Sequence, residues 1–288
     1  MPEPTDGEGF EEVTPEEAFS LLGHGTRIGI IRALWRAGND AVSFSELRER
    51  ADVTDSGQFN YHLGELVGTF LRREGEGYEL TYAGRQVVGA ILDGTYTKQA
   101  SVAPFEIDVS CIDCGSPLEA SYDESFLVRC TNCEGELAEF SLPPGALDGR
   151  TREELVTTMP HWIRAESVFM QNGICPTCAG VVARSIEPAS ELPEHEVKVE
   201  YDCERCVWSG HTMVGPNFLT HPAVVSFYHD HGVDLTEEWW NGLMQSSNRP
   251  ATVLSDDPWR ISVTFAVSGD ELELVVDGDL NVVEERRN

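Results

Sequence analysis

Lysine is almost absent from this chain. Lys98 and Lys198 are the only two, and the rest of its 20 basic residues are arginine, set against 50 Asp and Glu. The formal net charge is −30. A field of that sign supports solubility, opposes non-specific attraction to polyanions, and destabilises the compact state by self-repulsion at low salt. No apolar run approaches the ~18 residues that mark a membrane-spanning helix, so no membrane partner is expected. The opening stretch Met1–Glu12 is acidic and lacks the basic region and apolar core of a secretory signal, so a cytoplasmic, reducing location is expected. No cysteine precedes residue 111, and none stands outside a Cys-x-x-Cys pair.

The cysteines that are present form four pairs: Cys111/Cys114, Cys130/Cys133, Cys175/Cys178 and Cys203/Cys206. A two-residue gap lets both sulfurs of a pair reach one ion at about 2.3 Å, and two pairs complete a tetrahedral Zn²⁺ site. Fifteen residues separate the inner cysteines of the first two pairs and 24 those of the last two, which suits a knuckle, a hairpin and a returning knuckle. Adjacent pairing gives two zinc ribbons, Cys111–Cys133 and Cys175–Cys206; a crossed pairing stays open. A reducing compartment favours metal over disulfides. Four thiolates leave no open coordination position, so two structural Zn²⁺ and no enzyme activity are expected. The zinc deaminase pattern needs His-x-Glu ahead of Pro-Cys-x-x-Cys, and Cys175-Pro-Thr-Cys178 lacks both parts.

Along the chain, residues 1–13 read as a disordered acidic lead. Thr14, with Pro15 and Glu17 behind it, starts a helix as a capping box. Helical periodicity follows over Thr26–Ala37, Phe44–Ala51 after a Ser43 cap, and Asp55–Phe70 after Thr54 or Asp55. Two short strands around a Gly-rich turn occupy 71–80, and Thr81–Leu92 closes with a helix. This order predicts a winged helix-turn-helix over 14–98. Ribbon 1 spans 104–142, a linker and helix 143–172, ribbon 2 173–215, and a C-terminal helix and β-hairpin 216–288. Pro143-Pro144-Gly145 marks a boundary, Pro160 should interrupt its helix, and the terminal hairpin runs over Trp259–Val267 and Glu271–Val276. The expected fold class is α+β: a winged helix followed by a small mixed domain holding two four-cysteine ribbons.

On a helical wheel Phe59, Leu63, Leu66 and Phe70 form one buried face. The opposite face carries Gly57, Tyr61, Gly64 and Gly68, flanked by Gln58, Asn60 and Glu65. Three glycines on an outer helix face cost up to ~1 kcal/mol each against alanine, which is tolerated where something must approach the backbone. A DNA major groove is one candidate. Gln58 and Asn60 suit bidentate hydrogen bonds to adenine, Tyr61 can stack or meet phosphate, and Ser56 and Gly57 start the helix. Arg72 and Arg73 enter the wing, where arginines grip phosphate. Residues 27–73 carry seven Arg against six acids, a local relief of negative potential, whereas 101–288 carry 33 acids against 11 bases.

The stretch Phe44-Ser-Glu-Leu47, Asp55-Ser-Gly-Gln-Phe-Asn-Tyr-His-Leu63, Gly77-Tyr-Glu-Leu-Thr81 and Ala83-Gly84 resembles the ArsR-type winged helix of haloarchaeal transcriptional regulators. The resemblance covers about residues 14–98. The acidic, lysine-poor composition is likewise similar to that of halophilic archaea. The winged-helix resemblance implies a sequence-specific regulator of double-stranded DNA, usually a homodimer, here with a C-terminal zinc-ribbon extension. Asn60-Tyr-His-Leu63 stands where the family commonly has Ser-x-His-Leu, so base preference does not carry over. The domain has no cysteine, so metal-responsive derepression through cysteine ligands there is not implied. The C-terminal half is expected to serve dimerisation or to bind a protein or small-molecule effector. A runner-up reading is a module that contacts transcription machinery without reading DNA. A third makes zinc occupancy itself the signal.

His221, His229 and His231 cluster in sequence. Helix-end polar residues are the favoured reading over a third metal site, since His229 and His231 do not share a helix face. Trp162, Trp208, Trp239, Trp240 and Trp259 read as core for small modules, with an aromatic ligand pocket as the alternative.

Overall fold

A computed structural model describes residues 13–38, 40–111, 114–133, 135–188, 197–236 and 251–288. Among them are seven α-helices and four antiparallel sheets, a mixed α/β architecture. Most of the acidic lead, with Trp239 and Trp240, lies outside the described residues. The chain divides into two compact units, Met1–Gln99 with Pro143–Asp148, and Ala100–Leu142 with Gly149–Asn288.

The first unit begins with α1 (Pro15–Leu22), whose capping box joins Thr14 and Glu17 as expected. Helix α2 (Gly25–Ala37) follows, then β1 (Val42–Ser43), α3 (Phe44–Arg50) capped by Ser43, and α4 (Ser56–Leu66) capped by Asp55. Strands β2 (Leu71–Glu74) and β3 (Gly77–Leu80) form a hairpin, joined by β1 in the order β1-β3-β2. Helix α5 (Tyr82–Leu92) starts at the Thr81 cap. One core gathers Ile30, Ile31, Leu34, Leu47, Phe59, Leu63, Leu66, Phe70, Leu71, Leu80 and Val88. Gly84 lets α5 close on the hairpin base: a Cβ there would stand 2.2 Å from the Phe70 carbonyl oxygen. The boundary motif folds back here, with Gly145 N–H donating to Asp93 O. Helix α4 stops four residues short of the expected Phe70. Val67 is extended and Gly68 takes φ +102°, a turn conformation that glycine alone adopts freely. Gly68 is therefore a turn glycine, and only Gly57 and Gly64 lie on the helix.

In the second unit β4 (Ser101–Ser110), β5 (Pro117–Asp123), β6 (Ser125–Cys130) and β7 (Glu136–Ser141) make an antiparallel meander. Alternation buries Leu118, Ala120 and Tyr122 on β5 and Phe126, Val128 and Cys130 on β6. Tyr122 Oη donates 2.7 Å to the buried Leu142 carbonyl. Helix α6 (Arg152–Gln171) runs unbroken through Pro160, against expectation. A proline inside a helix costs about 3 kcal/mol. Leu155, Met159 and Pro160 are all buried, and burying a Leu or Met side chain contributes about 1.5–3 kcal/mol each, enough to offset that loss.

Strands β8 (Val182–Pro188), β9 (Val197–Cys203) and β10 (Ser209–Met213) pair in the order β10-β9-β8. After a 3₁₀ turn at Gly215–Phe218 comes α7 (Pro222–Asp230). The expected terminal hairpin is the centre of a four-stranded sheet: β11 (Thr252–Asp256), β12 (Trp259–Val267), β13 (Asp270–Asp277) and β14 (Val282–Arg287). Its outer strands are mostly exposed, Leu254 and Val283 included, so they carry little apolar alternation to read. A second core joins Val199, Tyr201, Phe218, Val224, Phe227, Tyr228, Ile261, Phe265 and Leu274. Trp208 and Trp259 pack against it.

Candidate metal centres and the exposed face of α4

The eight cysteines come together in the adjacent pairing. Cys111, Cys114, Cys130 and Cys133 form one group and Cys175, Cys178, Cys203 and Cys206 the other, all sulfurs of a group within 4.8 Å of one another. Closest sulfur pairs are Cys114–Cys130 at 3.4 Å, Cys111–Cys133 at 3.7 Å, Cys178–Cys203 at 3.6 Å and Cys175–Cys206 at 3.7 Å. Four thiolates at about 2.3 Å from a tetrahedral ion stand roughly 3.8 Å apart, so both donor sets fit a metal such as zinc.

The backbone explains why the spacing works. In every knuckle the N–H of the first cysteine donates to the carbonyl five residues on: Cys111 to Ser116, Cys130 to Gly135, Cys175 to Gly180 and Cys203 to Trp208. That turn aims both sulfurs inward. Two knuckles reach it through positive φ, at Gly115 (71°) and Ala179 (55°). Amide groups also point at sulfur. Cys130 Sγ accepts from Asn132 and Cys133, and Cys203 Sγ from Arg205 and Cys206. Burial pushes the Cys203 thiol up, but the amides of Arg205 and Cys206 together with the neighbouring Cys178 and Cys175 bring it down to about 7. Ser116, through side chain and backbone, draws Cys114 down to about 6. The Gly135 and Trp208 amides favour the thiolates of Cys133 and Cys206, but the neighbouring thiols and burial push both up to about 12, so the shifts divide within each group and the sulfur geometry is what fits a metal. The hairpin between each pair of knuckles is β5–β6 in the first site and β8–β9 in the second.

On α4 the candidate residues Ser56, Gly57, Gln58, Asn60 and Tyr61 are all exposed, Tyr61 at 58%. Phe59, His62, Leu63 and Leu66 face the core. An added Cβ at Gly64 would meet nothing within 4 Å, so packing inside the chain does not demand glycine there. Arg72 and Arg73 both sit on β2 of the hairpin. Arg72 donates to Glu79 at 2.5 Å, and the Arg73 guanidinium lies 5.6 Å from the Tyr78 ring centre.

Buried His62 holds this helix from behind. Its Nδ1 accepts from Arg27 Nε at 3.4 Å, its ring stacks on His24 at 4.0 Å, and Tyr61 meets it edge-on at 5.1 Å. Burial, then His24 and Arg27, push its pKa below the usual histidine range. Sequence reasoning noted His62 only inside a motif; its place on the apolar stripe of α4 was the available signal. The C-terminal histidines divide. His221 caps α7 by accepting from Ala223 N–H, His229 is exposed, and His231 bridges the Phe227 carbonyl and Asp270. None joins a metal-spaced group among the described residues.

A family model described as a domain of unknown function (DUF7351) matches residues 108–282, which include both cysteine groups. Another, described as a domain of unknown function (DUF7347), matches residues 15–91, from α1 into α5. No curated protein and no solved structure matches the chain. Among the described residues no helix is long and apolar enough to cross a membrane.

Proposed function

The chain belongs to the DUF7351 family through residues 108–282, and from the first unit we propose its function: sequence-specific, DNA-binding transcriptional regulation in the cytoplasm. In this reading α1–α5 with β1–β3 are a winged helix of the ArsR type. Helices α3 and α4 make the helix-turn-helix, and the β2–β3 hairpin is the wing. Gln58, Asn60 and Tyr61 meet base edges in the major groove, Ser56 and Gly57 bring the start of α4 to the backbone, and Arg72 and Arg73 grip phosphate.

One observation carries the reading. Helix α4 buries Phe59, His62, Leu63 and Leu66 and offers on the other side hydroxyl, amide, phenol and glycine surface with a single acid, Glu65, and open space at Gly64. Bidentate amide–adenine contacts are each worth about 1–3 kcal/mol of discrimination. The Arg72–Glu79 pair is no obstacle: with Arg72 57% exposed, such a pair is worth about 0–1 kcal/mol and exchanges readily for phosphate. Exposed Phe19 on α1 with Tyr82 and Leu92 on α5 support homodimerisation through the terminal helices. The cysteine groups hold two structural Zn²⁺, and the second unit that contains them serves dimerisation, a partner or an effector.

DNA selection from a random library in molar salt tests this, with an Asn60→Ala/Tyr61→Ala variant in parallel. An enriched motif lost in the variant, with unchanged far-UV circular dichroism, is the expected result. No enrichment, together with a protein that co-purifies stably, would replace it with the protein-interaction reading.

A further inference from the structure

The two cysteine groups share a backbone turn but not an environment. Cys175 belongs to the second core, and Cys178, Cys203, Cys206 and Trp208 pack against it. Arg205 lies over the Gly180 turn of that site: a Cβ built on Gly180 would stand 3.0 Å from Arg205 Cβ and 3.1 Å from Cys178 Sγ. Cover of this kind is not seen at the first group among the described residues. Among the described residues neither core includes any of its cysteines. Cys114 and Cys133 are exposed, one from each knuckle, and each sits beside a buried partner: Cys114 by Cys130 at 3.4 Å, Cys133 by Cys111 at 3.7 Å. Two ligand residues of the first site are therefore open to solvent, whereas at the second the most accessible ones are only half-exposed.

We infer that the first cysteine group is an oxidant-labile metal site and the second a permanent one, so that a hydroperoxide discharges one zinc of two. The inference rests on the zinc assignment made above. The Cys114 thiolate attacks a peroxide oxygen; the S–O bond forms, the O–O bond breaks, and the departing hydroxide takes a proton to leave as water. The Cys130 thiolate then attacks the sulfenic sulfur; the S–S bond forms, the S–O bond breaks, and the departing hydroxide takes a proton from solvent to leave as a second water. Two electrons pass from two thiolates to one hydrogen peroxide. The ion loses two of four ligands and departs, and the turns at 111–116 and 130–135 lose the ion that closes them. Cys133 with Cys111 offers the same step from the other side.

The experiment uses the full chain, zinc-loaded and free of reductant. Zinc content is counted first, then limiting hydrogen peroxide is added. Release is followed with a metallochromic indicator while thiols are mapped by alkylation and mass spectrometry. One equivalent should leave about tenfold faster than the other or more, with alkylation lost first at Cys111, Cys114, Cys130 and Cys133. Cys133→Ser should abolish the fast equivalent, and Cys178→Ser should keep it. Should Cys178→Ser fail to fold, the thiol map of the wild-type chain decides alone. Release of both equivalents together, or oxidation of Cys175–Cys206 first, overturns the inference and leaves the zinc assignment standing. A chain that takes up no zinc at the outset overturns both.

Discussion

Gly64→Ala should make the first unit more stable and the protein worse at binding DNA. Glycine inside a helix costs about 0.8–1.0 kcal/mol against alanine, through the backbone entropy it loses on folding. At Gly64 no steric cost opposes that gain, since an added Cβ would find nothing within 4 Å. The expected gain is therefore about 0.5–1 kcal/mol, which for a unit of this size raises the midpoint of thermal unfolding by about 3–6 °C. Hydrogen exchange reads it locally, as roughly fivefold greater protection of α4 amides that open with the unit. Gly64 shares its face with Asn60 and Tyr61, four and three residues before it. In the DNA-reading mode a methyl group there keeps the helix from settling in the groove, and affinity for the selected motif should fall by about tenfold or more. Gly84→Ala is the control of opposite sign. Its Cβ would stand 2.2 Å from a backbone oxygen, and overpacking of that kind costs about 1–3 kcal/mol. A Gly64→Ala protein that is less stable would refute the open geometry. One that is more stable and binds undiminished would refute the recognition face.

Further outcomes follow from the two units. Tyr122→Phe removes a buried donor and leaves the Leu142 carbonyl without it, so the β4–β7 sheet should lose about 1–3 kcal/mol in denaturant unfolding. His62 is held below its ordinary pKa, by burial first. As pH falls below the unfolded-state value of about 6.5, the unfolded chain takes up a proton the native state refuses. The stability His62 confers is thus present at neutral pH and lost as pH falls through its native pKa. Unfolding midpoints across that window should drop in the wild type and flatten in His62→Gln. A strong zinc chelator should abolish exchange protection in β8–β10 while α1–α5 keep theirs, because structural zinc contributes about 10–16 kcal/mol to small sites; unchanged protection in β8–β10 would argue that the second core folds without metal.

Local chemistry was the readable part of this chain. The capping box at Thr14, the Asp55 cap, the buried stripe on α4 and the four cysteine pairs each have a signal confined to a few residues. What failed to show depended on partners distant in sequence. Pro160 reads as a breaker because sequence shows the missing N–H and not the burial that offsets it. β14 is Val-Val-Glu-Glu-Arg-Arg, an edge strand recognisable only through its pairing with β13. Gly68 lies on the right side of a helical wheel, but the helix ends first. His62 on the apolar stripe could have been read as a polar residue held by burial; its partners His24 and Arg27 lie 38 and 35 residues earlier and were beyond local inspection.

A net charge of −30 would ordinarily count against DNA, and the distribution of that charge is what answers the objection. Acids outnumber bases 33 to 11 over residues 101–288, while 27–73, from α2 to β2, carries seven Arg against six acids. At molar salt the screening length is about 3 Å, so a charge acts only on its near neighbours. The same salt removes most of the counterion-release term on which ordinary DNA-binding proteins depend. In the DNA-reading mode, hydrogen bonds and apolar contact from Gln58, Asn60 and Tyr61 would then carry specificity. Between tenth-molar and molar salt, affinity for the selected motif should therefore hold or rise, where a basic DNA-binding domain would lose several orders of magnitude. Fluorescence anisotropy with the fold monitored in parallel measures it. A steep fall in affinity with salt would mean that arginine–phosphate contacts dominate, and that Arg72 and Arg73 rather than the face of α4 do most of the binding.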